Sequence, residues 1–223
     1  MIHSPLSQRY FLCAVNGSES FDVRDSKGAF GLVAAALLEL DLAGVIAVND
    51  KKLYTCAPLA VDSEPLAPLY DHIARKGPLS VGRLASSFAV RNLLLPARAD
   101  DPLLGQLQQR LGAALAARGL ATKRAGDKRF ALPTPEAAQA EFDRLREALI
   151  TKTVPLDEET AALALLLGKT EVLSTHFSAD ECRQMRETLA AAAQSDAAAR
   201  ALQAMQHFEW LWRLCMASAF LPF

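Results

Sequence analysis

The chain has 223 residues, of which 51% are hydrophobic, and this is enough to bury a substantial core in one large domain or two small ones. The 24 Lys and Arg side chains nearly balance the 25 Asp and Glu side chains, so an anionic partner must be bound by a local basic patch. This balance argues against a dedicated, strongly basic nucleic-acid-binding protein.

Two segments share one pattern, a helix ended by glycine and followed by a short β-hairpin. The first helix ends at Gly44, and its hairpin turns at Asn49-Asp50. The second helix ends at Gly119, and its hairpin turns at Gly126-Asp127 before reaching Leu132. A helix followed by a hairpin serves both nucleic-acid-binding and lipid-binding proteins, and the second copy here is far more basic than the first.

Apolar periodicity and capping signals predict the remaining elements. An apolar element covers residues 8–15, and the predicted helices cover residues 30–42, 65–76, 81–88, 103–118, 135–151, 157–167, 179–193 and 197–220. Ser80 and Thr134 are the expected N-caps of two of these helices, Ser178 begins a capping box, and Gly168 is expected to end the helix before it. The helix over residues 30–42 is apolar on nearly every face and is therefore expected at the centre. The fold class predicted is mainly α with two small β-hairpins.

Two acidic residues and one histidine lie in apolar helices. We expect Glu39 and Asp41 to pair with Lys or Arg on a neighbouring element, with a buried acid pair as the alternative. His207 lies close to Trp210 and Trp212, a cluster more typical of a packed terminal helix than of an aromatic ligand pocket.

The sequence has no motif that indicates catalysis, a metal or a membrane span. It contains no GxSxG, HExxH, GxxxxGK[ST] or GxGxxG motif, and its four histidines form no cluster. The four cysteines are scattered without a CxxC pair, which favours free thiols in a reducing compartment. Charged residues interrupt both long apolar segments, and the N-terminus lacks a secretory pattern. We therefore expect a protein that is not an enzyme, binds no cofactor or metal and is not exported.

Basic residues concentrate around the second hairpin. The candidate headgroup-binding residues are Arg118, Lys123, Arg124, Lys128 and Arg129, with Arg24 and Arg110 as further contributors. Asp127 is the one acid within this run, and Phe130 and Leu132 are candidates for shallow insertion into a membrane. This mixture of cationic and apolar side chains suits binding to anionic lipid headgroups. The alternative is a solvated turn rich in Lys and Arg.

Several motifs in this sequence resemble those of the Golgi phosphoprotein 3 family. The segment Gly31–Gly44 resembles its signature, a GL-x4-LxELxLxG helix followed by a hairpin. Arg110-Leu111, Leu115 and Gly119-Leu120 resemble the later RL-x3-L-x3-G[VL] helix and hairpin. The segment from Leu156 to Phe177 is similar to an acid-started LLAL helix followed by VL-x3-F, and Trp212 to Phe220 is similar to the terminal helix. These motifs stand in the family's order from about Leu6 to Phe220.

This resemblance implies one helical domain over residues 6–223, with residues 1–5 as a short N-terminal extension. It implies a bundle ringed by amphipathic helices and peripheral membrane binding through phosphatidylinositol 4-phosphate, as an adaptor located in the cytoplasm. It also implies protein partners, or self-association through the second hairpin. The Ala-rich and Leu-rich composition without the basic tail of eukaryotic members leads us to expect a bacterial relative.

The resemblance also identifies the positions of the family's phosphoinositide site. They correspond here to Arg24, Val33, Gly105 and Gln108, whereas eukaryotic members have a Trp and three Arg. Val, Gly and Gln cannot provide the bidentate guanidinium contacts that hold a phosphate. A winged-helix nucleic-acid-binding protein is the rival hypothesis, although residues 107–115 of the helix before the second hairpin offer only Arg110 among Gln, Gly and Ala. A purely structural scaffold is the third.

Overall fold

The structure is a computed structural model that describes residues 4–15, 26–80, 83–84, 102–123, 131–193 and 196–208. Its α-helices are α1 (Leu6–Ala14), α2 (Ser26–Leu42), α3 (Ala67–Lys76), α4 (Pro102–Ala117), α5 (Pro135–Arg146), α6 (Glu158–Lys169), α7 (Val172–His176), α8 (Ala179–Ala192) and α9 (Asp196–His207). Its strands are β1 (Ile46–Asn49), β2 (Lys52–Thr55), β3 (Leu79–Ser80), β4 (Ala121–Thr122) and β5 (Leu132–Pro133). A 3₁₀ helix (Val61–Leu66) precedes α3, and a π-helical turn (Glu147–Thr151) continues α5. The predicted mainly α fold class is confirmed.

Helices α1 and α2 share the centre of the protein. Helix α1 packs against α2, α4, α5 and α6, and all its side chains from Leu6 to Cys13 are buried. Helix α2 packs against α1, α6 and α9, and its residues 32–38 are at most 1% exposed. The predicted central position of the helix over residues 30–42 is therefore confirmed, and α1 lies beside it, with its buried Arg9 bonded to Glu141 and its Gln8 to Arg118.

A close contact between α1 and α2 explains the first glycine of the family signature. A Cβ atom at Gly31 would lie 1.8 Å from Tyr10 Oη and 2.8 Å from Thr170 Cγ2. No side chain larger than hydrogen fits between α2 and these neighbours unless they move. Gly31 thus allows α1 to approach α2 closely.

The first sheet has one strand more than the sequence predicts. Strands β1 and β2 form the predicted antiparallel hairpin, and the φ angles of 49° at Asp50 and 61° at Lys51 are those of a type I′ turn. Strand β3 then pairs antiparallel with β2, with Ser80 opposite Lys52. A strand of two residues has no measurable periodicity, which is why the pattern did not predict it. Most of the helix predicted to follow Ser80 lies outside the described residues.

Local capping signals predicted most helix boundaries correctly. The Thr134 hydroxyl accepts the Ala137 N–H across 3.2 Å at the start of α5. Ser178 and Glu181 form the predicted capping box of α8, with bonds of 3.2 and 2.8 Å. The end of α6 differs from the prediction, because the helix continues through Gly168 to Lys169. The described part of the last helix ends at His207, so the predicted extension to residue 220 lies outside it.

A buried polar network links three helices around Arg9. Its side chain is fully buried, and Nε donates to Glu141 Oε2 of α5 across 2.8 Å. The Nη1 group donates to Thr160 Oγ1 of α6 across 3.1 Å. Burial and the nearby Glu141 carboxylate raise the pKa of the Cys13 thiol on the same helix. The network fixes the relative positions of α1, α5 and α6.

Of the two acids of α2, Glu39 has a partner other than the predicted Lys or Arg, whereas Asp41 interacts with both His207 and Arg200 of α9. Glu39 accepts a hydrogen bond from the backbone N–H of Ser7 across 2.8 Å. Its partner is therefore the backbone at the start of α1, whereas the prediction was a Lys or Arg side chain. Asp41 Oδ2 lies 3.5 Å from His207 Nδ1 on α9. Burial raises the pKa of both carboxyl groups.

Candidate functional site

The second hairpin is present, and its ladder is only two pairs long. Ala121 pairs with Pro133 and Thr122 with Leu132, directly after α4 ends and Gly119 adopts a φ of 73°. The connection between the paired residues, 123–131, includes Lys123, Arg124, Lys128 and Arg129 against the single acid Asp127. Lys123 is exposed, while residues 124–130, with the candidate insertion residue Phe130, lie outside the described part of the chain. Leu132 is half-buried and packs against the core, and its membrane insertion stays a prediction.

Two further candidate cations contact side chains of the protein itself. The Arg110 guanidinium on α4 forms an ion pair with Glu64 of the 3₁₀ helix. Arg118 is half-buried, and its Nη1 donates to Gln8 Oε1 across 2.8 Å. Both side chains therefore connect α4 to neighbouring elements, and binding a headgroup would compete with these contacts.

Arg118 also borders an acidic cleft of about 580 Å³. The carboxylate residues that line this cleft are Glu39, Asp62, Glu158 and Glu159. Glu39 is 8% exposed. Burial and the nearby Glu159 carboxylate raise the pKa of its carboxyl group, and its hydrogen bonds with Ser7 oppose this shift. An anion bound to Arg118 in this cleft would meet these carboxylates, so the local field favours a cation there.

The positions that correspond to the family's phosphoinositide site do not form a basic pocket in the described residues. Val33 is 1% exposed and lies in the core side of α2. Gly105 is exposed on α4 with open space around it, and Gln108 is half-buried one turn further on. Arg24 lies outside the described residues. The described three positions therefore offer one amide side chain and no cation.

A second cleft, of about 700 Å³, is basic, and sequence reasoning missed it. Lys52 of β2, Lys76 at the end of α3, and Arg83 line it together with His72 and Ser80. Buried Leu79 and Leu84 also line this cleft, which has no acidic residue among its described lining residues. We call this feature the basic cleft. The cations are spread over residues 52 to 83, and the pairing of β3 with β2 and the packing of α3 against β2 bring them together, so no local signal could have revealed the site.

Within the described ranges, no helix is long and apolar enough to cross a bilayer. The same ranges contain no group of three or more His, Cys, Asp or Glu side chains that could hold a metal ion.

These features define a class of mainly helical protein with two small antiparallel sheets, the first of which borders the basic cleft. The family model of Golgi phosphoprotein 3 (GPP34) matches residues 6–207, which is nearly the whole chain. The chain therefore belongs to the Golgi phosphoprotein 3 family. No curated protein matches it.

Proposed function

We propose that this protein is a non-enzymatic peripheral membrane protein that binds anionic phospholipid through its second hairpin. The pairing of Thr122 with Leu132 carries the proposal, because it confines Lys123, Arg124, Lys128 and Arg129 to one short connection. Clustered Lys and Arg beside apolar residues are attracted to the negative surface of a membrane, at about 1 kcal/mol for each cation near the surface. Membership of the Golgi phosphoprotein 3 family supports the same function.

Phosphatidylinositol 4-phosphate is the headgroup that the family resemblance favours. The residues at the corresponding positions, among them Val33, Gly105 and Gln108, lack the guanidinium groups that would select one phosphoinositide. We therefore propose that recognition depends on the negative charge of the lipid more than on one headgroup. An adaptor role, in which the bound protein holds other proteins at the membrane, is the corresponding cellular function.

Flotation with vesicles tests the proposal. The double variant Lys128→Glu/Arg129→Glu should lose most of its recovery with vesicles of phosphatidylcholine and phosphatidylserine, because it reverses two of the four cations. The matched control is Arg183→Glu/Arg186→Glu, which makes the same change in net charge at two exposed positions of α8. This control should float like the unmodified protein.

Four results would contradict the proposal. The first is equal recovery with neutral and anionic vesicles, and the second is an equal loss in the hairpin and control variants. The third is salt-dependent binding to duplex DNA with no vesicle binding, which would favour the winged-helix hypothesis. The fourth is an absence of binding to both, which would favour a scaffold.

A further inference from the structure

The basic cleft gathers positive charge on a surface that is separate from the second hairpin. Lys52 and Ser80 are direct antiparallel partners on β2 and β3, which places their Cβ atoms about 5 Å apart on one face. Lys76 is the last residue of α3, two residues before Pro78 begins the approach to β3. Arg83 completes the lining just after β3. Three separate segments of the chain therefore each place one cationic side chain in the lining of the basic cleft.

These cations are not neutralised by the described part of the protein. Lys52, Lys76 and Arg83 are exposed, and none forms an ion pair with a carboxylate in the described ranges. The acidic residues of the neighbouring elements, such as Asp71 on α3, do not line the cleft. Like charges that share a cleft raise each other's electrostatic energy, and a bound anion removes that cost.

We propose that the basic cleft binds a phosphomonoester, a phosphate group attached to a larger molecule. Such a group carries about −1.5 to −2 charges at pH 7 and has three acceptor oxygens. The Arg83 guanidinium can donate two parallel hydrogen bonds to it, the Lys52 and Lys76 ammonium groups supply point charges, and Ser80 supplies a hydroxyl donor. The volume of about 700 Å³ exceeds that of a phosphate and lies within the range of ligand pockets, so it also admits the group to which the phosphate is esterified.

The same chemistry is offered by a phosphorylated lipid headgroup and by a soluble phosphate ester. The site goes beyond the proposed function, because its residues lie on α3, on the first sheet and just after β3, and none belongs to the second hairpin. Two probes distinguish the sources. The first is glycerol 3-phosphate in phosphate-free buffer, followed by two-dimensional NMR. The second is flotation with phosphatidylcholine vesicles that contain either phosphatidic acid, a phosphomonoester lipid, or phosphatidylserine.

The test variant is Lys52→Gln/Lys76→Gln, and its control is Lys51→Gln/Arg75→Gln. Each control position lies one residue before a test position, loses the same charge and is exposed outside the lining of the cleft. The test variant should weaken phosphomonoester binding by roughly tenfold or more, and the control should leave it unchanged. Arg83→Gln provides an independent variant with the same expected direction, and thermal unfolding verifies that every variant folds.

Each outcome decides the proposal. Saturable binding of glycerol 3-phosphate that the test variant weakens assigns a soluble ester, whereas a preference for phosphatidic acid over phosphatidylserine that the test variant removes assigns a lipid. Binding of neither probe, or equal weakening by the test and control variants, would overturn the site. Loss of vesicle binding in Lys128→Glu/Arg129→Glu, with glycerol 3-phosphate binding intact, separates the hairpin function from the cleft.

Discussion

Arg9 Nε donates to Glu141 Oε2 across 2.8 Å in the protein interior, and this ion pair joins α1 to α5. Thr160 accepts a second bond from the same guanidinium, so three helices meet at one charged side chain. The Nη2 group has no hydrogen-bond partner within the described residues. One donor group of the buried network therefore has no acceptor in the described part of the chain. We expect the network to fix the relative positions of the three helices and to add little net stability.

Glu141→Leu should destabilise the protein by about 3–5 kcal/mol, because it leaves the Arg9 charge buried without its carboxylate. The double variant Arg9→Met/Glu141→Leu removes both charges and should recover most of this loss. Urea unfolding of the two single variants and the double variant measures the coupling. Additive losses would contradict the account, because they would mean that the two side chains act independently.

Gly31→Ala should destabilise the protein by about 1–3 kcal/mol, because its methyl group would overlap Tyr10. Gly105→Ala on α4 is the matched control, since nothing lies within 4 Å of its added Cβ. This control should stabilise the protein by about 0.5–1 kcal/mol through helix propensity. Thermal unfolding compares the two, and similar shifts of the same sign would show that the contact between α1 and α2 is not tight.

Glu39→Gln should alter the pH dependence of stability. Burial raises the pKa of Glu39, so the folded state holds its proton more tightly than the unfolded state. The resulting stabilisation is present below the ordinary pKa of Glu and is lost as the pH rises through the raised value. The variant should therefore gain stability relative to the unmodified protein between pH 4 and pH 7 in urea unfolding. A difference between Glu39→Gln and the unmodified protein that stays constant with pH would refute this assignment.

Ser178→Ala should cost about 1 kcal/mol, because it removes the acceptor that satisfies the Glu181 N–H at the start of α8. Ser178→Gly should cost only a few tenths of a kcal/mol. The hydrogen bond from the Ser178 N–H and the Arg146 side chain lower the pKa of the Glu181 carboxyl group. Urea unfolding measures both variants, and an unchanged stability of Ser178→Ala would mean that the hydroxyl contributes nothing to the cap.

Sequence reasoning succeeded where one short segment contains the whole signal. The Thr134 cap, the Ser178 capping box and the glycines after α2 and α4 each act within a few residues, and the structure confirms them. Features that depend on distant residues were missed. Strand β3 exists because Ser80 meets Lys52, and the basic cleft exists because that pairing brings Lys76 and Arg83 beside Lys52.

Local sequence patterns also did not predict which residues the polar side chains contact. Arg118 was predicted to bind a lipid headgroup, and its hydrogen bond to Gln8 beside an acidic cleft was not predicted. Glu39 was predicted to meet a Lys or Arg, whereas it accepts the backbone of Ser7. In both cases α1 supplies the partner, and its position against α2 and α4 follows from packing rather than from a motif.

The most direct test of the proposed function is flotation of the unmodified protein with vesicles of phosphatidylcholine alone and with phosphatidylserine or phosphatidylinositol 4-phosphate added at equal surface charge. Recovery with both anionic mixtures, falling as salt is added and absent with phosphatidylcholine alone, is the predicted result. Recovery that is equal with neutral and anionic vesicles, or absent with all of them, would contradict the proposal that this member of the family binds membranes through negative charge.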